Sequence, residues 1–278
     1  MAGGMGNRIV AAIRRRLPGG DRVRYRGAVL PPAEMRWCGP EFKDDAFFLR
    51  SAEAEANRLR EMGAGPGARI LDVGCGYGRL AIGILRVLDR VEYLGVDVHR
   101  GSINWCQKHI QRPHPSLRFV WIDRENERYN PGGAAIDAAF RFPAADGSID
   151  VAYLYSVFSH LTEADLRFYL VELARVLAPG GRVFLTAFVE EGVEPVAINP
   201  PNYALECSGP LHVVRYERGH FAGMVDAAGL RIERFDHGTE TDGQSGIHLA
   251  LAQCINRRSE STDAVNKPNV TGTTCGSS

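Results

Sequence analysis

One stretch of eleven residues restricts what this chain can become: Ile70-Leu71-Asp72-Val73-Gly74-Cys75-Gly76-Tyr77-Gly78-Arg79-Leu80. Apolar residues lead to an acid, glycines follow at alternate positions, and a helical run begins at Arg79. Glycine is needed where the backbone turns sharply and where a ligand must lie against the main chain with no Cβ between them. A strand passing into a helix through such a turn belongs to an open α/β sheet, whose ligands sit at the carboxyl ends of the strands. A tight turn that holds nothing is the competing reading.

A second element weighs against that competitor. Tyr93-Leu94-Gly95-Val96-Asp97 is a strand ending in an acid 19 positions beyond Gly78. A carboxylate so placed can grip both hydroxyls of a ribose. A dinucleotide site has the same two parts, but its GxGxxG fingerprint needs glycine at 79, where arginine stands. Asp72, moreover, is placed to face a cationic amino-acid group rather than a pyrophosphate.

Strands and helices alternate around this pair. Strands are predicted at residues 68–73, 93–98, 117–122, 149–155, 182–188, 230–235 and 247–254, and helices at 46–62, 79–88, 101–111, 162–177 and 219–228. Thr162 and Asp165 make a capping-box-like start, and Pro179-Gly180-Gly181 a stop. The expected architecture is an α/β sheet with helices on both faces.

Net charge is zero, from 33 basic and 33 acidic side chains, but it is unevenly spread. Residues 1–36 carry eight arginines against Asp21 and Glu34, and read as a basic N-terminal arm. Residues 37–254 form the expected domain, with 189–221 arching over a pocket, and the polar residues 255–278 read as a disordered tail. The six cysteines show neither CxxC nor zinc-ligand spacing, so no metal is expected and the setting reads as reducing and cytoplasmic. No apolar run approaches the ~20 residues that span a bilayer, so no stable membrane insertion is expected.

Together, DVGCGYGR, GVD, IDVAYLYSVFSHL and LARVLAPGGRVFLT resemble the class I, Rossmann-like S-adenosylmethionine-dependent methyltransferases, and within them bacterial small-molecule and sugar O-methyltransferases. The resemblance runs from about Phe42 to Cys254. It implies a seven-stranded sheet in the order 3-2-1-4-5-7-6 with the last strand antiparallel, and S-adenosylmethionine as cofactor with S-adenosylhomocysteine as product. It also implies that Gly74, Gly76 and Gly78 line the methionine and ribose side, Asp72 helps hold the amino group, Asp97 binds the ribose diol and Val98 or His99 lies along adenine. Asp123 resembles the acid that accepts the adenine amino proton, with Asp137 as runner-up because an insertion follows residue 123. Ser156 is expected beside the methionine moiety.

The chemistry then needs an acceptor. An alcohol must lose its proton as it attacks, and a histidine titrating near neutral pH suits that task. His160, just beyond the fourth strand, is the candidate base; packing on the cofactor is the plainer role. Tyr203, His212 and Glu190 are the candidate acceptor-binding residues, with Phe42, Trp37 and Asn202 as further neighbours. The polar loop residues around them favour a hydroxyl of a small molecule, most of all a saccharide or related natural product. An N or C acceptor of another metabolite or lipid, a nucleic-acid methyltransferase and a non-catalytic binding protein are the alternatives. Asn199-Pro200-Pro201-Asn202-Tyr203 falls after the wrong strand for the nucleic-acid motif, so no nucleic-acid partner is expected. A homodimer stays open.

Overall fold

The structure is a computed structural model that describes residues 24–252 apart from Cys38 and Asn202. Its elements are β1 (Arg24–Tyr25), β2 (Ala28–Val29), α1 (Asp45–Glu61), β3 (Arg69–Val73), α2 (Arg79–Val87), β4 (Glu92–Asp97), α3 (Arg100–Cys106), β5 (Leu117–Trp121), β6 (Ile149–Leu154), α4 (Glu163–Val176), β7 (Leu177–Glu190), β8 (Val196–Ile198), β9 (Val214–Glu217), α5 (Arg218–Ala227), β10 (Leu230–Asp236) and β11 (Ser245–Leu251). Seven strands run across the main sheet in the order β10-β11-β7-β6-β3-β4-β5. Counted from β3 as the first core strand, that is the expected order 3-2-1-4-5-7-6. The five strands β5, β4, β3, β6 and β7 pair in parallel, and β11 pairs antiparallel with both neighbours.

Burial explains the strand compositions. Leu71, Val73, Val96, Val151, Ala152 and Leu154 are almost wholly inaccessible, as sheet strands covered by helices on both faces must be. Two separate cores flank the sheet: one holds Leu173, Val176, Leu185 and Phe221, the other Leu59, Ile82, Ile103 and Phe119. Polar ends are capped by side chains. The Asp44 carboxylate accepts from the Phe47 amide at 2.7 Å to begin α1, and the Thr162 hydroxyl accepts from the Asp165 amide at 3.2 Å to begin α4.

Two departures matter for the site. The segment 189–221, read as a cover, contributes two strands to the sheet: β9 runs parallel beside the end of β7 and β8 pairs antiparallel with β9, giving nine strands in all. Strand β7 is 14 residues long and begins directly at the end of α4, because the Pro179-Gly180-Gly181 stop bends a strand instead of forming a separate turn. The arm boundary at residue 36 also moves. Ala28, Val29 and Leu30 are buried, and the His114 ring bonds the Arg26 carbonyl at 2.9 Å. Residues 28–36 therefore pack as part of the domain, while residues 1–23 and the predicted tail at 255–278 lie outside the described residues.

Candidate active site

Gly74 and Gly76 turn the chain out of β3 with φ of 73° and 51°. The amides of Gly74 and Cys75 donate to the Val96 carbonyl at 2.8 and 3.1 Å. The Gly76 amide donates to Oδ2 of Asp97, and the His99 amide to its Oδ1, each at 2.7 Å. One carboxylate thus organises the ends of two adjacent strands. A Cβ on Gly74 would lie 2.5 Å from Val157, so glycine is compulsory there. Gly78 has a different purpose from the one implied for it. It turns into α2 with φ 79°, and its missing Cβ leaves room for Ile110 and Cys106, away from the cavity.

A cavity of about 620 Å³ opens over this turn at the carboxyl edge of the sheet. Six carboxylates and three guanidiniums face it. Asp72, behind the turn, accepts from the Tyr93 hydroxyl at 2.5 Å. Burial raises the pKa of Asp97 and of Glu55 and raises that of Asp72 much further. A cation in the cavity would favour the ionised forms that burial penalises.

Asp72, Gly74, Gly76, Asp97, Val98, Ser156, His160 and His212 all line this cavity. Asp123 does not. It is exposed and accepts from the Asn130 side chain at 3.1 Å, because the chain beyond Ile122 veers off to begin the insertion. Asp137 is also exposed, caps the Ala139 amide and stands outside the lining. The lining at that end comes from Ile122, Glu125, Asn126, Arg128 and Tyr129 instead. Tyr203 and Glu190 are hydrogen-bonded to each other at 2.8 Å outside the lining. Of the further neighbours, Trp37 lines the cavity, Phe42 is buried outside the lining, and Asn202 lies outside the described residues.

His160 is the best-defined titratable group of the lining away from the glycine turn. Its Nδ1 lies 2.8 Å from the Leu211 carbonyl oxygen, and its own carbonyl accepts from the Asn126 amide group at 2.9 Å. A carbonyl only accepts, so Nδ1 carries the proton and Nε2 keeps its lone pair. Burial lowers its pKa to about 4, so the ring is neutral at physiological pH. Leu211 is held at φ 47° by a loop stapled at Asn199, whose side chain accepts from the Val213 amide and donates to the Gly209 carbonyl.

Several lining residues carried no signal in the sequence. Glu55 of α1 pairs with Arg79 at 2.5 Å, and Arg79 lies over the rings of Phe42 and Tyr155. Arg36 is buried against the carbonyls of Pro31, Phe42 and Lys43 and against Asp45, so the end of the basic arm is part of the cavity wall. Trp37 follows it, with Tyr77, His99 and Tyr129 within 5.1–5.6 Å of its ring. Gln244 and Asp242 arrive from the loop before β11. Among the described residues no group of three His, Cys, Asp or Glu side chains could hold a metal ion. No helix among them is long and apolar enough to cross a membrane.

Sheet order and carboxyl-edge cavity together define a Rossmann-like methyltransferase fold. Residues 71–183 match the family model described as a methyltransferase domain. An O-methyltransferase of Aspergillus nomiae is 31% identical over 210 residues, 70% of this chain and 84% of that protein. A phthiotriol/phenolphthiotriol dimycocerosates methyltransferase of Mycobacterium ulcerans is 35% identical over 120 residues, 43% of this chain. The chain spans only 37% of that relative's length. Among solved structures, an S-adenosylmethionine-dependent methyltransferase from Aquifex aeolicus shares the fold at a TM-score of 0.51 and 18% identity, with 80% of this chain and all of that one aligned. The chain belongs to the class I S-adenosylmethionine-dependent methyltransferases. Its residues fit that cofactor: the Gly76 backbone is bare toward the cavity, with only the Trp37 ring 3.8 Å from where a Cβ would be. Asp97 keeps lone pairs for hydroxyl donors, and the buried acids suit a sulfonium.

Proposed function

We propose that this chain transfers a methyl group from S-adenosylmethionine to a hydroxyl of a small molecule, a saccharide or related natural product. When bound, the cofactor supplies an electrophilic methyl on a cationic sulfur. The observation that carries the reading is the tautomer of His160: Nδ1 is committed as a donor to the Leu211 carbonyl, so Nε2 is the nitrogen that can take a proton. Thiolate, amine or carbanion acceptors have less need of such a base.

The chain's own residues divide the work. Asp97 and the turn at Gly74 and Gly76 hold the nucleoside end, and Asp72 supplies the acid of the sulfonium end. Phe188, Tyr155 and Leu161 exclude water beside the reacting atoms, which strengthens every polar contact there. His160 accepts the hydroxyl proton as the oxygen–carbon bond forms. A weakly basic imidazole suffices, because a hydroxyl becomes strongly acidic once alkylation is under way. His212, Gln244, Asp242, Glu206 and Arg128 give the acceptor half a polar lining, which favours a hydroxyl-rich molecule over a flat apolar one. Tyr203 and Glu190 support it from behind: the Tyr203 ring packs edge-on against Phe188 at 5.7 Å.

Incubation with S-adenosylmethionine labelled in its methyl group, across sugar, phenol, fatty-acid, amine and polynucleotide acceptors, tests this. Label in an ether of a sugar or polyol is the expected result. Label confined to nitrogen, carbon or a polynucleotide, or no turnover at all, would overturn it.

A further inference from the structure

Ser156 ends the β6 edge with φ 54°, a left-handed conformation that non-glycine residues rarely adopt. Three hydrogen bonds in a closed ring hold it there. The Ser156 amide donates to the Thr186 hydroxyl at 2.8 Å, the Thr186 hydroxyl donates to Gln244 Oε1 at 2.7 Å, and Gln244 Nε2 donates to Ser156 Oγ at 2.7 Å. Thr186 is fully buried and Gln244 is 3% exposed.

The ring runs in one direction only. Turning the Gln244 amide over would give Thr186 two donors and leave its own proton in a dry interior with no acceptor, a costly defect. With the amide as it stands, Ser156 Oγ accepts from Gln244 and its own proton has no acceptor among the described residues. The bond to Gln244 also draws this hydroxyl toward β7 and β11. In the sheet these strands lie on the opposite side of β6 from β3 and β4, which carry Asp72 and Asp97.

We propose that Gln244 and Thr186 are positioning residues that make the Ser156 hydroxyl an obligate donor to a second oxygen of the acceptor, so that the site selects diols and polyols over molecules with a single hydroxyl. The inference rests on the hydroxyl-methylation reading and narrows its acceptor to molecules with at least two hydroxyls, of which a 1,2-diol is the compact probe. His160 takes the proton of one hydroxyl, and Ser156 donates to another.

The test uses trans-1,2-cyclohexanediol and cyclohexanol as probes, by saturation-transfer NMR with the full chain and S-adenosylhomocysteine present. The wild type should favour the diol by about fivefold to tenfold, the worth of one buried hydrogen bond. Gln244→Leu and Thr186→Val should reduce that preference to near parity, and Thr186→Ser should keep it. Gln244→Glu preserves shape where Gln244→Leu fails to fold. An ionised carboxylate there can only accept, so the Ser156 proton turns inward; the preference should vanish as pH is raised and the acid ionises, and return as pH falls and it is protonated. Equal binding of both probes by the wild type, or an undiminished preference in the variants, overturns the proposal. So does a calorimetric loss of S-adenosylhomocysteine affinity in the Gln244 variants with the preference intact, since the hydroxyl then serves the cofactor; the methyltransferase reading survives that result. Failure of the wild type to bind S-adenosylhomocysteine at all would sink both.

Discussion

The imidazole of His160 is oriented by the main-chain carbonyl of Leu211, 2.8 Å from its Nδ1, and not by a carboxylate. The difference has a chemical consequence. A carboxylate would raise the basicity of the ring, whereas a neutral carbonyl fixes the tautomer and leaves burial free to push the pKa down to about 4.

Replacing His160 by alanine should lower methyl transfer by about 10²–10⁴-fold, the usual range for a positioned general base. Affinity for S-adenosylhomocysteine, measured by calorimetry, should stay close to that of the wild type. Intact turnover would remove His160 from the chemistry.

The same residue makes stability depend on pH. Its folded pKa of about 4 lies below the ordinary 6.5, so as pH falls the unfolded chain takes up the proton first. The stabilisation is complete above pH 6.5 and is lost between 6.5 and 4, roughly 3 kcal/mol in all. Denaturant unfolding of the wild type and His160→Gln at pH 7.5 and 4.5 should show this as a difference in pH slope. Turnover, for its part, should show no acid limb between pH 8 and 6.

Asp97 offers a separate check on the cofactor side. Burial raises its pKa, and a cation favours the ionised form, so binding of S-adenosylmethionine should tighten as pH rises through the acidic range. The neutral sulfur of S-adenosylhomocysteine should show a weaker trend. Asp97→Ala removes the acceptor for both the Gly76 and His99 amides, and should weaken either ligand by roughly 10–100-fold. Unchanged affinity in calorimetry would move the cofactor elsewhere.

Gly83 is a stability determinant away from the chemistry. A Cβ there would fall 1.9 Å from the Ala52 carbonyl oxygen, where α2 crosses α1. Backbone cannot yield as a flexible side chain can. Gly83→Ala should therefore cost about 3 kcal/mol or more in chemical denaturation, and a neutral result would mean the two helices are free to separate.

The glycine turn, the acid at the end of β4 and the main strands were legible because each is written locally: an apolar run, a compulsory glycine, an acid at a strand end. The strand order came only from the resemblance to the family. Asp123 shows where local reading stops. It follows β5 at the right place, yet the insertion carries it to the surface, and no spacing rule records that turn. Glu55, Arg36 and Gln244 reach the cavity from distant elements. Their roles depend on the crossing of α1 over α2, on a buried guanidinium gathering carbonyls, and on a loop before the last strand. Gly78 is the opposite case: the residue was legible, but the neighbour that requires it, Ile110, was not.

The stapled loop from Asn199 to Val213 both borders the acceptor half and presents the carbonyl that sets the His160 tautomer. An insertion or deletion there, made to admit a different acceptor, would also shift that carbonyl and retune the base. The loop before β11, bearing Asp242 and Gln244, makes no contact of that kind with His160. Descendants of this chain would therefore find new acceptors more readily by varying residues 237–244 than by rebuilding residues 199–213.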